Sequence, residues 1–257
     1  MNAFKKIYNY REFLKTSIKK EFRGKYKKSF LGVLWSFLNP LFQLLVYALV
    51  FPFILRGGIE NYTIFLIVGL MPWTFFNSTV LQSAACVVAN GGIIKKVYFP
   101  REILPISTAT SNLLNFLITE IIVLIALLVS GFGFSTSIIV LPIIILVQYI
   151  LQLGLSFVLS AITVYVRDVE YIMNVFMMLM FYMSPIVYSP DMIPAKFLPI
   201  FKLNPMYHII NFYRDILYYK QIPNMVEVFI LLGVCILILI LGYIIFRKLE
   251  KRFAEEL

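Results

Sequence analysis

Along most of this chain hydrophobic positions do not alternate with polar ones; they run together. Almost uncharged apolar stretches cover residues 29–55, 62–89, 103–129, 138–166, 171–188 and 228–246, with Glu120 the one acid well inside any of them. Helices of these lengths match or approach a hydrocarbon core of ~30 Å. The pattern predicts an all-α polytopic membrane protein with six transmembrane helices. Residues 29–257 form the transmembrane domain, and too little is left over for a soluble one. The periodicity changes at the front. In residues 1–28, Tyr10, Phe13, Leu14, Ile18, Phe22 and Tyr26 recur three and four apart, with Arg11, Lys15, Lys19, Arg23 and Lys27 on the other faces. This predicts an amphipathic helix lying on the membrane surface, either as an anchor or as a docking surface for a soluble partner.

It changes again between the fifth and sixth runs. Pro185, Pro190, Pro194, Pro199 and Pro205 interrupt a segment that stays apolar at Met192, Ile193, Phe197, Leu198, Ile200, Phe201 and Leu203. An ordinary span does not tolerate so many prolines, and a loop in water gains nothing from so many large apolar side chains. Residues 189–223 are therefore expected to form short re-entrant helices, with Asn204-Pro205 at a junction where Asn caps a helix and Pro fits its first turn. Beyond the junction, Ile209, Phe212, Tyr213, Ile216 and Leu217 fall at helical spacing. Asn204, Pro205, Tyr207, His208, Phe212 and Arg214 are the candidate outer-gate residues.

Composition narrows the class. The 257 residues are 61% hydrophobic with a mean hydropathy of +0.88, far from a soluble globular domain. The net charge of +10 is unevenly placed. Eighteen of the 23 Lys and Arg residues lie in the N-terminal arm, the loops after spans two and four, and the C-terminal tail. The excess of basic residues on one side predicts that both termini are cytoplasmic. The basic start lacks the short apolar core and cleavage site of a signal peptide, so the first span is expected to be retained. No soluble basic face with aromatic platforms is available for nucleic acid. Cys86 and Cys235 fall in apolar runs without metal-ligand spacing and read as packing residues; no metal site is expected. There is no GxxxxGK[ST] loop, so the chain has no phosphate cradle of its own. His208, the single histidine, has no nucleophile elbow to serve.

Several polar groups sit where apolar ones would be the simpler choice. Asn39 and Gln43 share a face of the first span, near a kink expected at Pro40, and line a passage or join helices. Asn112, Asn115 and Thr119 share a face of the third span, where Glu120 is either functional or a neutral structural group. Gln148, Gln152 and Ser156 form a stripe on the fourth, read as an interhelical contact or as pore lining. On the cytoplasmic side, the Asn90-Gly91-Gly92 breaker opens a basic, amphipathic segment, residues 91–102. Its apolar side faces either lipid headgroups or a groove in a partner protein. A charged knot at residues 167–170 lies on the same side. Lys95, Lys96, Tyr98, Phe99, Arg101, Arg167, Asp168 and Glu170 are the candidate coupling residues, with a topology stop and helix cap as the plainer role for Asp168.

Five stretches, in order and at these spacings, carry a family likeness: Phe30-Leu31-Gly32-Val33-Leu34-Trp35-Ser36-Phe37-Leu38-Asn39-Pro40, Gly69-Leu70-Met71-Pro72-Trp73-Thr74-Phe75-Phe76, Val166-Arg167-Asp168-Val169, Ser184-Pro185-Ile186-Val187-Tyr188 and Asn204-Pro205-Met206-Tyr207. Over nearly its whole length the chain resembles the permease subunit of ABC-type exporters of lipid-linked polysaccharide, O-antigen or teichoic acid. The resemblance implies six spans per subunit, a homodimer in the bacterial cytoplasmic membrane, and two copies of a separate cytoplasmic ATPase that binds the ATP and Mg. It also implies a channel for which Trp35, Asn39, Gln43, Tyr47, Phe176 and Tyr182 are candidate lining residues, since aromatic faces suit sugar rings. Two other classes stay open: a drug or small-lipid efflux permease of the same superfamily, and a membrane-embedded transferase on lipid-linked sugars. Against the transferase, Asp168, Glu170 and Glu102 are few and flanked by bases.

Overall fold

A computed structural model describes residues 8–24 and 59–257, together with nine isolated positions between residues 34 and 50. Most of the expected first span, including Asn39, Pro40, Gln43 and Tyr47, lies outside the described residues. Among the described residues there are helices and the turns that join them, and no strand. The helices are α1 (Arg11–Gly24), α2 (Tyr62–Ala89), α3 (Gly91–Ile94), α4 (Ile103–Val129), α5 (Leu141–Tyr165), α6 (Val169–Tyr182), α7 (Leu198–Lys202), α8 (Pro205–Leu217), α9 (Met225–Leu249) and α10 (Phe253–Glu256). Four of them, α2, α4, α5 and α9, are long and apolar enough to cross a membrane, α5 and α9 with their short helical extensions.

The five apolar runs within the described residues translate into helices with one correction. The expected span over residues 171–188 is a helix only to Tyr182, 14 residues from Val169. At 1.5 Å per residue it measures about 21 Å, short of a bilayer core. Pro185 explains the stop, because it lacks an N–H and clashes with the preceding turn. The apolar residues after it, Ile186 and Val187, belong instead to a buried turn.

α2 is the centre of the bundle. It is apolar on every side and buries sixteen residues, from Phe65 to Val87, against α4, α5 and α8. Phe75 stacks on Phe116 of α4 at 4.7 Å, and Trp73 meets Phe181 of α6 edge-on at 5.7 Å. α5 and α9 cross on glycine. A Cβ added at Gly154 would stand 2.8 Å from the Leu239 backbone, and one at Gly242 would stand 2.4 Å from the Gly154 carbonyl. With no hydrophobic drive between helices in lipid, such close backbone approach supplies the packing. Two members of the stripe on α5 make interhelical contacts, while Gln152 between them is buried with neither amide atom paired among the described residues. Gln148 donates to the Pro72 carbonyl at 2.8 Å and accepts from Tyr213 Oη at 2.9 Å, and Ser156 pairs with Ser83 of α2 at 2.8 Å.

The core divides into two clusters. The larger joins α2, α4, α5 and α8 through the middle and one end of the bundle. The smaller gathers Val87, Ile94, Phe99, Phe157, Phe246 and Phe253 at the other end, with Tyr10 and Phe13 of α1 packed against it. The charged arms and loops lie at the second end, so it is called the inner end below and the proline-rich end the outer.

Candidate functional site

At the outer end the chain turns sharply after α6. Ser184, Ile186 and Val187 are buried there, and their segment cannot form a helical ladder, so its carbonyls need other donors. Side chains supply them. Asn204 Nδ2 donates to the Met183 carbonyl at 3.3 Å and to Ser184 Oγ at 2.9 Å, while its Oδ1 caps α8 by accepting from Met206 N at 3.0 Å. Tyr62 Oη donates to the Val187 carbonyl at 2.9 Å, and Arg214 Nη2 to the Ile186 carbonyl at 2.7 Å. Asn204-Pro205 thus begins α8, with Pro at the first turn where its missing N–H costs nothing.

Arg214 is the unusual member of this group. It is 1% exposed, and its guanidinium lies 3.5 Å above the centroid of the Phe65 ring. A Cβ at Gly69 would come within 2.9 Å of Nη2, so glycine there makes room for the side chain. No carboxylate pairs with Arg214 among the described residues, and its Nε and Nη1 have no partner there. Of the other candidate gate residues, Tyr207 and Phe212 are buried, Pro205 is half-buried, and His208 is half-buried with Nε2 2.8 Å from the Lys202 carbonyl. All six candidates therefore converge on one end of the bundle. Close by, a cleft of about 650 Å³ is bordered by Glu60, Phe132, Asp191, Tyr218, Tyr219 and Lys220 among others.

Of the candidate lining residues, Trp35, Phe176 and Tyr182 are described. Trp35 is 37% exposed, and Phe176 and Tyr182 lie on the open face of α6, a helix that buries only Met177. Between α6 and α2 runs a groove of about 380 Å³ in which Asn77 and Asn174 join Trp73, Phe181 and Tyr182. The two amides were not among the residues expected from the sequence, although an Asn in an otherwise apolar run is itself a signal.

At the inner end the coupling candidates separate by exposure. Lys95, Lys96 and Tyr98 are exposed, Tyr98 at 85%, while Phe99 is buried with its ring 4.9 Å from Phe13 of α1. Lys20 of α1 donates to Asn90 Oδ1 at 3.0 Å, so α1 is held on residues 90–99 at two points. In α1 itself, Lys15 bonds Glu12 at 2.9 Å and holds that carboxyl below its ordinary pKa. Arg101 and Glu102 turn inward, toward the end of α9. Arg167, Asp168 and Glu170 are exposed, and the Asp168 side chain makes no capping bond to α6.

A bundle of long apolar helices, with one end tied by hydrogen bonds to neutral oxygens and the other presenting a basic, partly exposed segment, defines a polytopic membrane protein. Residues 12–218 match the family model for ABC-2 type transporters, and the chain belongs to that family. It is 38% identical over 239 residues to an O-antigen export system permease protein RfbA of Klebsiella pneumoniae, covering 93% of this chain and 92% of that one. It is 32% identical over 256 residues to the RfbA permease of Myxococcus xanthus, covering 98% of each.

Proposed function

We propose that this chain is the membrane subunit of an ATP-driven exporter that carries a lipid-linked polysaccharide, of O-antigen or teichoic-acid type, outward across the bacterial cytoplasmic membrane. The observation that carries the reading is the 38% identity to O-antigen export permeases over nearly the full length of both chains. In this reading residues 29–55 supply the first of six spans and α6 together with the buried turn after it the fifth, both termini are cytoplasmic, and two copies face each other across the passage. A separate ATPase, two copies per complex, binds ATP and Mg. The open face of α6 and its groove against α2 supply aromatic rings and amides of the kind that suit sugars, which present an apolar face and a polar edge.

The mechanism follows from the two ends. Closure of the ATPase pair on nucleotide pushes on Lys95, Lys96 and Tyr98 and on Arg167 and Asp168. The push reaches α2 and α6, which flank the groove. At the outer end, α7 and α8 dip into the membrane and act as the gate, with Asn204 and Arg214 holding them to the turn after α6. Tyr218, Tyr219 and Phe132 then meet the emerging sugars.

Reconstitution tests the reading. Vesicles holding this chain with its ATPase are loaded with a fluorescent lipid-linked O-antigen polysaccharide, and polymer delivered to the far leaflet is counted. Delivery is expected only with both chains and hydrolysable ATP, and the chain alone is expected to hydrolyse none. ATP hydrolysis by the isolated chain, or export of small amphiphiles but no polymer, overturns it.

A further inference from the structure

The inner end carries a contact set that the transport reading does not use. α9 ends at Leu249, and the last carbonyls of any helix lack intrahelical donors. Here other elements supply them: Tyr165, at the end of α5, donates to the Leu249 carbonyl at 2.7 Å, and Arg101 Nη1 donates to the Glu250 carbonyl. Charge adds a second tie. Arg247, in the last turn of α9, bonds Glu102 at 3.0 Å and Glu250 at 2.6 Å. Glu102 immediately precedes α4 and is only 2% exposed. An acid at the start of one helix and a base at the end of another both agree with the helix dipoles. Beyond Leu249 the chain continues through a 3-10 turn, Glu250–Arg252, into α10. Phe253 is fully buried, its ring 5.5 Å from Phe246 and 6.3 Å from Tyr165, with the Arg101 guanidinium 5.9 Å away. Leu257 packs on Gly91, at the head of the coupling segment.

We propose that residues 250–257 are a brace that fixes the coupling segment to the end of α9, with Phe253 and Arg101 as its positioning residues. The inference rests on the reading that the segment meets an ATPase. Arg101, Glu102 and Phe99 then serve the fold of the segment, and Lys95, Lys96, Val97 and Tyr98 are the part offered to the partner. A thrust on Tyr98 moves the starts of α3 and α4 and the end of α9 as one body. Without the brace the segment yields locally, and hydrolysis runs without export.

The experiment uses the reconstituted complex with its ATPase and fluorescent lipid-linked O-antigen polysaccharide, on a background with Cys86 and Cys235 replaced by alanine. A Cβ at Gly91 stands 3.6 Å from the Leu257 Cβ, within disulfide range. The Gly91→Cys/Leu257→Cys pair, once oxidised, is expected to export as much polymer per ATP as its reduced form. Phe253→Ala is expected to lower polymer exported per ATP at least fivefold with ATPase binding unchanged, and Phe253→Leu to restore most of it. Loss of export on oxidation, recovered by reduction, means that the tail must detach and overturns the brace. An unchanged ratio in Phe253→Ala overturns it too. If Phe253→Ala does not fold, the disulfide arm still decides. Failure of the transport reading is separable, because the unmodified complex then shows no ATP-dependent export at all.

Discussion

The two ends of this bundle solve the same problem with different chemistry. Each holds a segment that leaves helical geometry, and each must satisfy the backbone groups so released. At the outer end the donors are Asn204, Tyr62 and Arg214, all directed at neutral oxygens, and the one cation among them has no acid opposite among the described residues. At the inner end Arg247 bridges Glu102 and Glu250 with its side chain 41% exposed, so water and ions reach it. The outer end is therefore held by direction and fit, and the inner end partly by charge. An arrangement of directed hydrogen bonds has few alternatives and breaks as a unit, which suits a gate. Ion pairs tolerate small shifts, which suits a handle that transmits force.

The largest effect is expected at Arg214. Arg214→Lys keeps the charge but loses the planar face that stacks on Phe65 and the fork that reaches Ile186. Thermal unfolding in detergent should report a loss of about 2 kcal/mol, and export should fall tenfold or more. Equal stability and export would show that charge alone matters there. Asn204→Ala removes the cap of α8 and two bonds to the turn, and should cost about 1–2 kcal/mol. Neither loss should change with salt. Arg247→Ala leaves the buried acid Glu102 without its base and should cost about 1–2 kcal/mol in dilute buffer, somewhat less in 1 M salt, which screens the 41% exposed Arg247 side chain but not Glu102. A salt-independent loss at Arg247, or a salt-dependent one at Asn204, breaks the contrast. The smallest change in stability belongs to Asp168→Ala, because the side chain is exposed and caps nothing. Its effect should appear only as ATP hydrolysed without export.

The contrast also marks what the sequence revealed. The runs at 62–89 and 103–129 became helices with those same bounds, because a chain this apolar has no cheaper way to satisfy its backbone in lipid. Asn204-Pro205 announced its cap, since cap chemistry is local. Residues 183–188 misled. Their apolarity belongs to a turn buried by α2 and α8, and hydropathy alone does not separate a buried turn from the end of a span. The inner end was legible as a surface and not as a structure. The tie from Arg101 to the Glu250 carbonyl joins positions 149 residues apart, and no local pattern reports it. Phe253 and Leu257, large apolar residues in a charged tail, were the only trace. Asn39, Gln43 and Tyr47 fall outside the described residues, so their place in the passage remains a proposal.

The central claim is that the outer end opens during export. In the proposed dimer, single cysteines at the half-buried positions His208 and Asn211 of α8, on a background without Cys86 and Cys235, are the positions to bridge between the two copies with a bifunctional thiol reagent. In the reconstituted complex, polymer delivery is followed before bridging, after it and after cleavage of the reagent, alongside ATP binding. Bridged complexes should bind ATP normally and deliver no polymer, and cleavage should restore delivery. Full delivery with the bridge in place would contradict a gate formed by this segment.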